Sequence, residues 1–497
     1  MLFERNIFDR SKPGNFWEVF RIALPLILAN AGHSINLFTD RLMLQNFSKE
    51  TMSAAFPAGL THFTLICYFV GTVGYANSFV AQYFGAKMYH RVGAAVWQAI
   101  YMALLGGLFS IAAYFYAPAL FRAFGHAPHL VELEVAYFRI LALGGCIPLL
   151  TIALSTFWGG QGKTGMIMFV NLLITFCNIP FNYMLIFGMD FGWFKIPAMG
   201  ILGAAYGTLA AGIVGLLVMV GCLLGSRTNI ARFRTWNMRF DKDMFLRLFK
   251  FGGPNGVQLF LDLASFNLFV VLLGKIGQDV LNASGVAFSL NSLAMIPMFG
   301  LGQTVSILVG QGIGAQDIPF AERAVRSARL WLYFMLIVLG ILFLFYPEPA
   351  LTLFQLEPGT RAFDLAKIML RFVTAYLIFD GTGILYGSAI KGAGDTKFSM
   401  WIGSTFAWFL FGIPCLVTFY IFGLPSVRES LGPDRADTYN LWTQWTIIVA
   451  YIMILGTTFY LRYLGGKWKG MKVIESEVND HPRGAIPKEV GVDSYLP

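Results

Sequence analysis

The sequence predicts an all-α membrane protein, with about twelve transmembrane helices in two pseudo-symmetric six-helix bundles. Three observations predict it. Of 497 residues only 13% are charged while 57% are apolar, and that charged share is about half the ~25% of a soluble domain. The apolar residues fall into about twelve runs, each close to the ~20 residues that cross a bilayer as a helix. The second half of the chain also repeats the first at an offset of 229 residues.

In chain order, the spans are expected near 17–45, 53–80, 92–121, 134–160, 165–188, 200–225, 248–274, 282–310, 326–347, 364–390, 397–423 and 441–464. The segment before the first carries Arg5, Arg10 and Lys12 but no short apolar core ending in a cleavage site, so that span is expected to be retained. Basic residues gather in alternate loops: Lys87 and Arg91; Lys163; Arg227, Arg232, Arg234, Arg239 and Arg247; Arg323, Arg326 and Arg329; Lys391 and Lys397; Lys467, Lys469 and Lys472. The intervening loops hold Glu132 and Glu134, Glu348 and Glu357, and Glu429, Asp434 and Asp437.

Cytoplasmic loops carry the excess of Lys and Arg, so the alternation predicts a multi-pass protein of the cytoplasmic (inner) membrane with both termini cytoplasmic. The net charge of +9 is thereby topogenic; the lipid bilayer is the expected partner and nucleic acid is not. The predicted organisation is an N-terminal segment 1–16, a bundle 17–225, a linker 226–247, a second bundle 248–464 and a polar cytoplasmic tail 465–497. From about Val473, with Pro482, Pro487 and Pro497, the tail reads as disordered. Cys67, Cys146, Cys177, Cys222 and Cys415 lie inside apolar runs without CxxC spacing, which reads as packing rather than a disulfide or metal framework.

The repeat is specific. Adding 229 carries Pro25 onto Pro254 and Val80, Gln82, Gly85 and Ala86 onto Val309, Gln311, Gly314 and Ala315. After small insertions, Gly160, Gly162 and Thr164 match Gly392, Gly394 and Thr396, and Asn178-Ile179-Pro180 matches Gly412-Ile413-Pro414. Two copies of six spans enter the membrane in the same sense, so their symmetry axis lies along the membrane normal. Bundles so related can rock about a shared site, which points to alternating access.

An ionisable residue inside a span costs at least ~2.5 kcal/mol near the bilayer centre and normally lines a cavity or has a partner. Asp40, Asp262 and Asp380 meet that description. A carboxylate of this kind can exchange a proton for Na⁺ or for a cationic substrate, so all three are candidate cation ligands. Tyr376 lies one turn before Asp380 and shares its face, either as a further ligand or as packing. Asn178 and Asn182 share a face of span 5, and Pro180 between them frees a backbone carbonyl; together they offer oxygens to a hard cation. His33 lies two turns before Asp40, where the repeat has Asp262. It reads as a titratable element facing the first-half cavity, or as a neutral imidazole with one hydrogen bond.

No enzyme is expected. Gly392-Ala393-Gly394-Asp395 has the GxGD form of intramembrane aspartyl proteases. Asp395, however, falls in a loop between Lys391 and Lys397, and the first-half copy keeps the glycines without an acid. Gly160-Gln161-Gly162-Lys163-Thr164 lacks the spacing of a phosphate loop. Without an ATPase module, transport is expected to be driven by an ion gradient or to be passive.

The strings ALPLILANAGHSINLFTDR, VAQYFGAK, NIPFNYMLIFG, GILGAAYGTLAAG, GGPNGVQLFLD, VGQGIGA and AIKGAGDTK resemble, in order, those of the multidrug and toxic compound extrusion (MATE) transporters, over about residues 17 to 465. The resemblance implies a V-shaped pair of bundles exporting amphipathic organic cations in exchange for Na⁺ or H⁺, with no cofactor beyond that ion. Asp40, Asn178 and Thr208 match the family's first-half cation site, and Asn182 stands where some members have Asp. Asp262, Tyr376 and Asp380 match the second-half site of the NorM-type branch, whose span-7 acid is usually Glu. His33 departs from the usual Gln and leaves the coupling ion open. The expected protein is a monomeric secondary antiporter; the alternative is a flippase of related architecture for a lipid-linked saccharide.

Overall fold

In a computed structural model the described residues are 7–190, 192, 195–353, 356 and 358–475. Twelve helices long and apolar enough to cross a membrane are present among them: α1 Phe16–Phe47, α2 Lys49–Gly85, α3 Tyr89–Ala123, α4 Pro128–Gly160, α5 Thr164–Phe187, α6 Ile201–Gly225, α7 Lys242–Ile276, α8 Asp279–Gly314, α9 Ile318–Phe345, α10 Arg361–Ala393, α11 Thr396–Gly423 and α12 Pro433–Leu464. A hairpin of β1 Met189–Asp190 and β2 Lys195–Ile196 pairs Met189 with Ile196 between α5 and α6.

Several helices begin beyond the apolar window, where polar residues cap them. Asn15 accepts from the amides of Trp17 and Glu18, Ser48 from Glu50, Asp241 from Met244 and Asp317 from Phe320. Each cap satisfies a donor that the first turn leaves unpaired. This shifts one expectation. The linker 226–247 contains a helix, Arg227–Phe233, and its last residues already belong to α7. With α7 starting at Lys242, Asp262 lies just past its middle.

The two bundles meet along contacts that obey the repeat. Asn255 donates to the Gly71 carbonyl at 2.8 Å, and a Cβ on Gly71 would stand 2.7 Å from the Gly256 Cα. Their repeat equivalents, Gly300 and Ile27, also touch. Nearer the end carrying most of the basic loops, a Cβ on Gly85 would be 2.0 Å from the Gln311 carbonyl oxygen, and one on Gly314 would be 2.0 Å from that of Gln82. Gln82 donates to the carbonyl of Gly392 at 3.0 Å, and Gln311 to that of Gly160 at 2.8 Å. All of these contacts lie between the basic end and mid-depth, so the bundles are closed together there.

Residues 465–475 pack, and of the stretch read as disordered from about Val473 residues 473–475 depart from that expectation. Trp468 is buried against Tyr463, with ring centroids 5.1 Å apart, and joins the second-bundle core. Val473 and Ile474 enter the first-bundle core. The Val473 amide donates to Gln82 Oε1 at 2.9 Å, Tyr83 donates to Glu475 at 2.6 Å, and Arg247 pairs with Glu475. Lysines 467, 469 and 472 conceal this in the composition, since one aromatic and two aliphatic side chains supply the burial. Arg5, Glu357 and the polar stretch 476–497 lie outside the described residues.

Candidate functional site

In the first bundle, three helices converge on one polar cluster. Asp40 on α1 accepts from Asn182 Nδ2 of α5 at 2.5 Å. Asn182 also donates to Asn178 Oδ1 at 3.3 Å, and Asn178 donates to the hydroxyl of Thr208 on α6 at 3.3 Å. Thr208 lies beside Asp40 in turn, so the four side chains form an open ring joined by three hydrogen bonds. Asn178 and Asn182 are buried. Asn182 Oδ1 is buried with no partner among the described residues, an arrangement that ordinarily calls for an explanation.

Local sequence makes this packing possible. Asn178 and Asn182 are one turn apart on α5 and face the same neighbours. A Cβ on Gly207 would stand 2.0 Å from Asn182 Oδ1, so only glycine leaves that oxygen its place. The cluster offers a carboxylate, two amide oxygens and a hydroxyl, the oxygen-rich chemistry suited to a hard cation.

The second bundle is arranged differently. Asp262 on α7 stands one turn after Gln258, whose side chain neighbours it, and lies within electrostatic reach of Lys391. Asp262 Oδ1 is buried without a partner among the described residues. Asp380 on α10 has no hydrogen bond from a described side chain. Tyr376 is within its electrostatic reach but is packed in the core at 1% exposure. Tyr451 feels both carboxylates and stacks on Phe411. Asp262 and Asp380 thus share a neighbour rather than a direct bond.

His33 is exposed on α1 and bonds to no member of the polar ring. Asp395 is 6% exposed and pairs with Arg462 at 2.7 Å. It stands fifteen residues, or about 22 Å of helix rise, from Asp380. That separation removes the aspartyl-dyad geometry. Lys391, read as a loop base, belongs to α10, and its carbonyl accepts from Tyr75 at 2.8 Å.

Four groups near these sites escaped the sequence reading: Gln258, Tyr451, Lys391 and Tyr137, the last within electrostatic reach of Asp40. Gln258 alone left a signal, its spacing of one turn from Asp262. The others come from helices distant in sequence or from a motif read as a loop.

The sequence model of the MatE family matches residues 25–184 and 254–418, more than half of the chain. A protein of Bradyrhizobium diazoefficiens described as a probable multidrug resistance protein NorM is 26% identical over 437 residues, covering 84% of this chain and 89% of its own. The multidrug resistance protein NorM of Vibrio cholerae is 24% identical over 448 residues, covering 89% and 94%. Among solved structures, the outward-facing conformation of a multidrug resistance MATE family transporter of the MOP superfamily superposes with a TM-score of 0.80 at 16% identity, over 94% of this chain and 99% of that one. A MOP superfamily transporter from Pyrococcus furiosus, described as having a binding pocket of reverse polarity that suggests a different function, superposes with a TM-score of 0.77 at 18% identity, over 94% and 99%.

Proposed function

The chain belongs to the MatE family, and from that premise we propose that it is a multidrug efflux antiporter that exports amphipathic organic cations in exchange for Na⁺ or H⁺. The fold is that of transporters. In this reading the protein works as a monomer in the inner membrane with the basic end and both termini in the cytoplasm, and needs no cofactor besides the coupling ion.

One observation supports the antiport reading above the others, the hydrogen-bonded polar ring of Asp40, Asn182, Asn178 and Thr208 with its spare amide oxygen. Cation entry gives the orphaned Asn182 oxygen a ligand. Protonation of Asp40 instead leaves the ring neutral. Both events change the charge balance between α1, α5 and α6, and so bias the bundles toward one of two arrangements. The carboxylates of Asp262 and Asp380 then serve the cationic substrate in the second half. With the basic end closed, substrate leaves toward the opposite side; the coupling ion entering from there resets the protein.

Dye transport in proteoliposomes tests this, with an imposed Na⁺ gradient in one arm and an imposed pH gradient in the other. Wild type should respond to one gradient, Asp40→Asn should lose that response, and Asp380→Asn should lose affinity for the dye. Absence of dye movement under either gradient would refute the antiport reading and leave the flippase.

A further inference from the structure

A cavity of about 380 Å³ lies at the basic end of the second bundle, away from the carboxylates. Its volume is within the ~300–1,000 Å³ range of small-molecule sites. Its walls come from α9 (Glu322, Arg326, Arg329), α10 (Tyr386), α12 (Tyr460, Tyr463) and the packed tail (Trp468, Lys469).

The chemistry of these walls is one-sided. Three cationic side chains and three phenols face one carboxylate, and that carboxylate is already engaged. Glu322 pairs with Arg326 at 3.2 Å and with Lys469 at 2.6 Å. Arg329 lies beside Tyr386 in the cavity wall, yet its Nε is buried with no partner among the described residues. A buried guanidinium nitrogen without an acceptor is costly, and among the described residues the Arg329 Nε lacks an oxygen to receive it.

We propose that this cavity binds a phosphate-bearing anion through Arg329, with Arg326 and Lys469 as flanking charges. Guanidinium matches phosphate oxygens with a planar fork of donors. Basic pockets between helices at the cytoplasmic side of a membrane hold the headgroups of anionic lipids. Two features favour a lipid phosphodiester over a soluble phosphate: Leu464, which lines the cavity, is 58% exposed, and the phenols of Tyr460 and Tyr463 suit the headgroup level. The proposal does not depend on which substrate or ion the transporter uses.

Because Trp468 and Lys469 form one wall, the ligand also touches the segment that continues to Val473 and Ile474 in the first-bundle core. Occupancy would hold that segment down.

The full chain, purified in a neutral detergent, would be titrated with dioleoyl phosphatidylglycerol, with dioleoyl phosphatidylcholine and with inorganic phosphate, reading bound ligand by native mass spectrometry and thermal unfolding in parallel. Phosphatidylglycerol should bind saturably and raise the melting temperature, whereas phosphatidylcholine should do neither. Arg329→Gln should weaken binding about tenfold and Lys469→Gln about threefold. Lys469 is 46% exposed, so its variant keeps the test valid if Arg329→Gln fails to fold. Saturation by inorganic phosphate alone would uphold the anion site and assign it to a soluble ligand. Equal binding of both lipids, or unchanged phosphatidylglycerol binding by both variants, would overturn the proposal. Dye transport measured on the same preparations reports separately on the antiport reading.

Discussion

Asp40 and Phe269 occupy equivalent places in the two halves, 229 residues apart, and their surroundings have nothing else in common. Around Asp40 stand two amides and a hydroxyl. Around Phe269 stand Phe411, with ring centroids 5.2 Å away, and Trp445, itself stacked on Phe288 at 5.2 Å. Asn178 of the first half corresponds to Gly412 of the second, where α11 is wound as a π-turn over Ala407–Gly412. The second half instead carries its α7 acid at Asp262, the place that His33 holds in the first. The duplicated scaffold therefore kept its helix packing while the acid moved by seven residues, about 10 Å of helix rise. The two carboxylates therefore stand at unequal depths in their bundles, and on the antiport reading proposed above that separation would give ion and substrate different stations.

Substitutions can break this contrast. The largest effect is expected at Phe269→Ala, which removes a ring from a filled aromatic cluster and should cost about 3 kcal/mol of stability. Thermal unfolding in detergent would measure it, and the ion dependence of transport should be unchanged. A changed ion dependence would mean that the second half also takes part in coupling at that position.

Asp40→Asn should weaken the response to the driving ion on the order of a hundredfold, equivalent to ~2.7 kcal/mol, with the protein still folded. Full retention of coupling would transfer the ion to Asp262 or Asp380. Gly207→Ala sharpens the same point because it alters no ligand. Its methyl group must displace the Asn182 amide, and about a tenfold loss in apparent ion affinity is expected, read from the Na⁺ or proton concentration at half-maximal transport.

The smallest effect is expected at His33→Gln. His33 lies outside the polar ring, so the substitution should change transport by only about threefold, read as a change in its pH profile. A pH profile superimposable on wild type would make His33 a spectator.

Much of this was legible in the sequence. The twelve spans follow from apolar run length, and the Gln82/Gln311 repeat from an offset of 229; that its glycines press against the partner motif and close the basic end is seen only in the structure. Asp40, Asn178 and Asn182 were recoverable because a helix brings polar residues at fixed spacing to one face. Thr208 came only from family resemblance, since a threonine among glycines and alanines carries no spacing signal. Residues 473–475 and Lys391 were misread for one reason: charge near a span end marks topology on average, but says nothing about where the helix stops or whether apolar residues between the charges pack. The orphaned oxygens of Asn182 and Asp262 depend on contacts between helices remote in sequence, which no local pattern encodes.

The packed tail also bears on how the molecule is made. Val473 and Ile474 complete the core of the bundle whose own last helix ended at Gly225. A chain emerging from the ribosome thus holds its first bundle unfinished, at the basic end, through the whole synthesis of the second. The final stitch is placed only when both bundles exist, so a prematurely terminated chain exposes its Val473 and Ile474 berth. Truncated products should accordingly be poor at hiding from the membrane proteases that clear unfinished proteins.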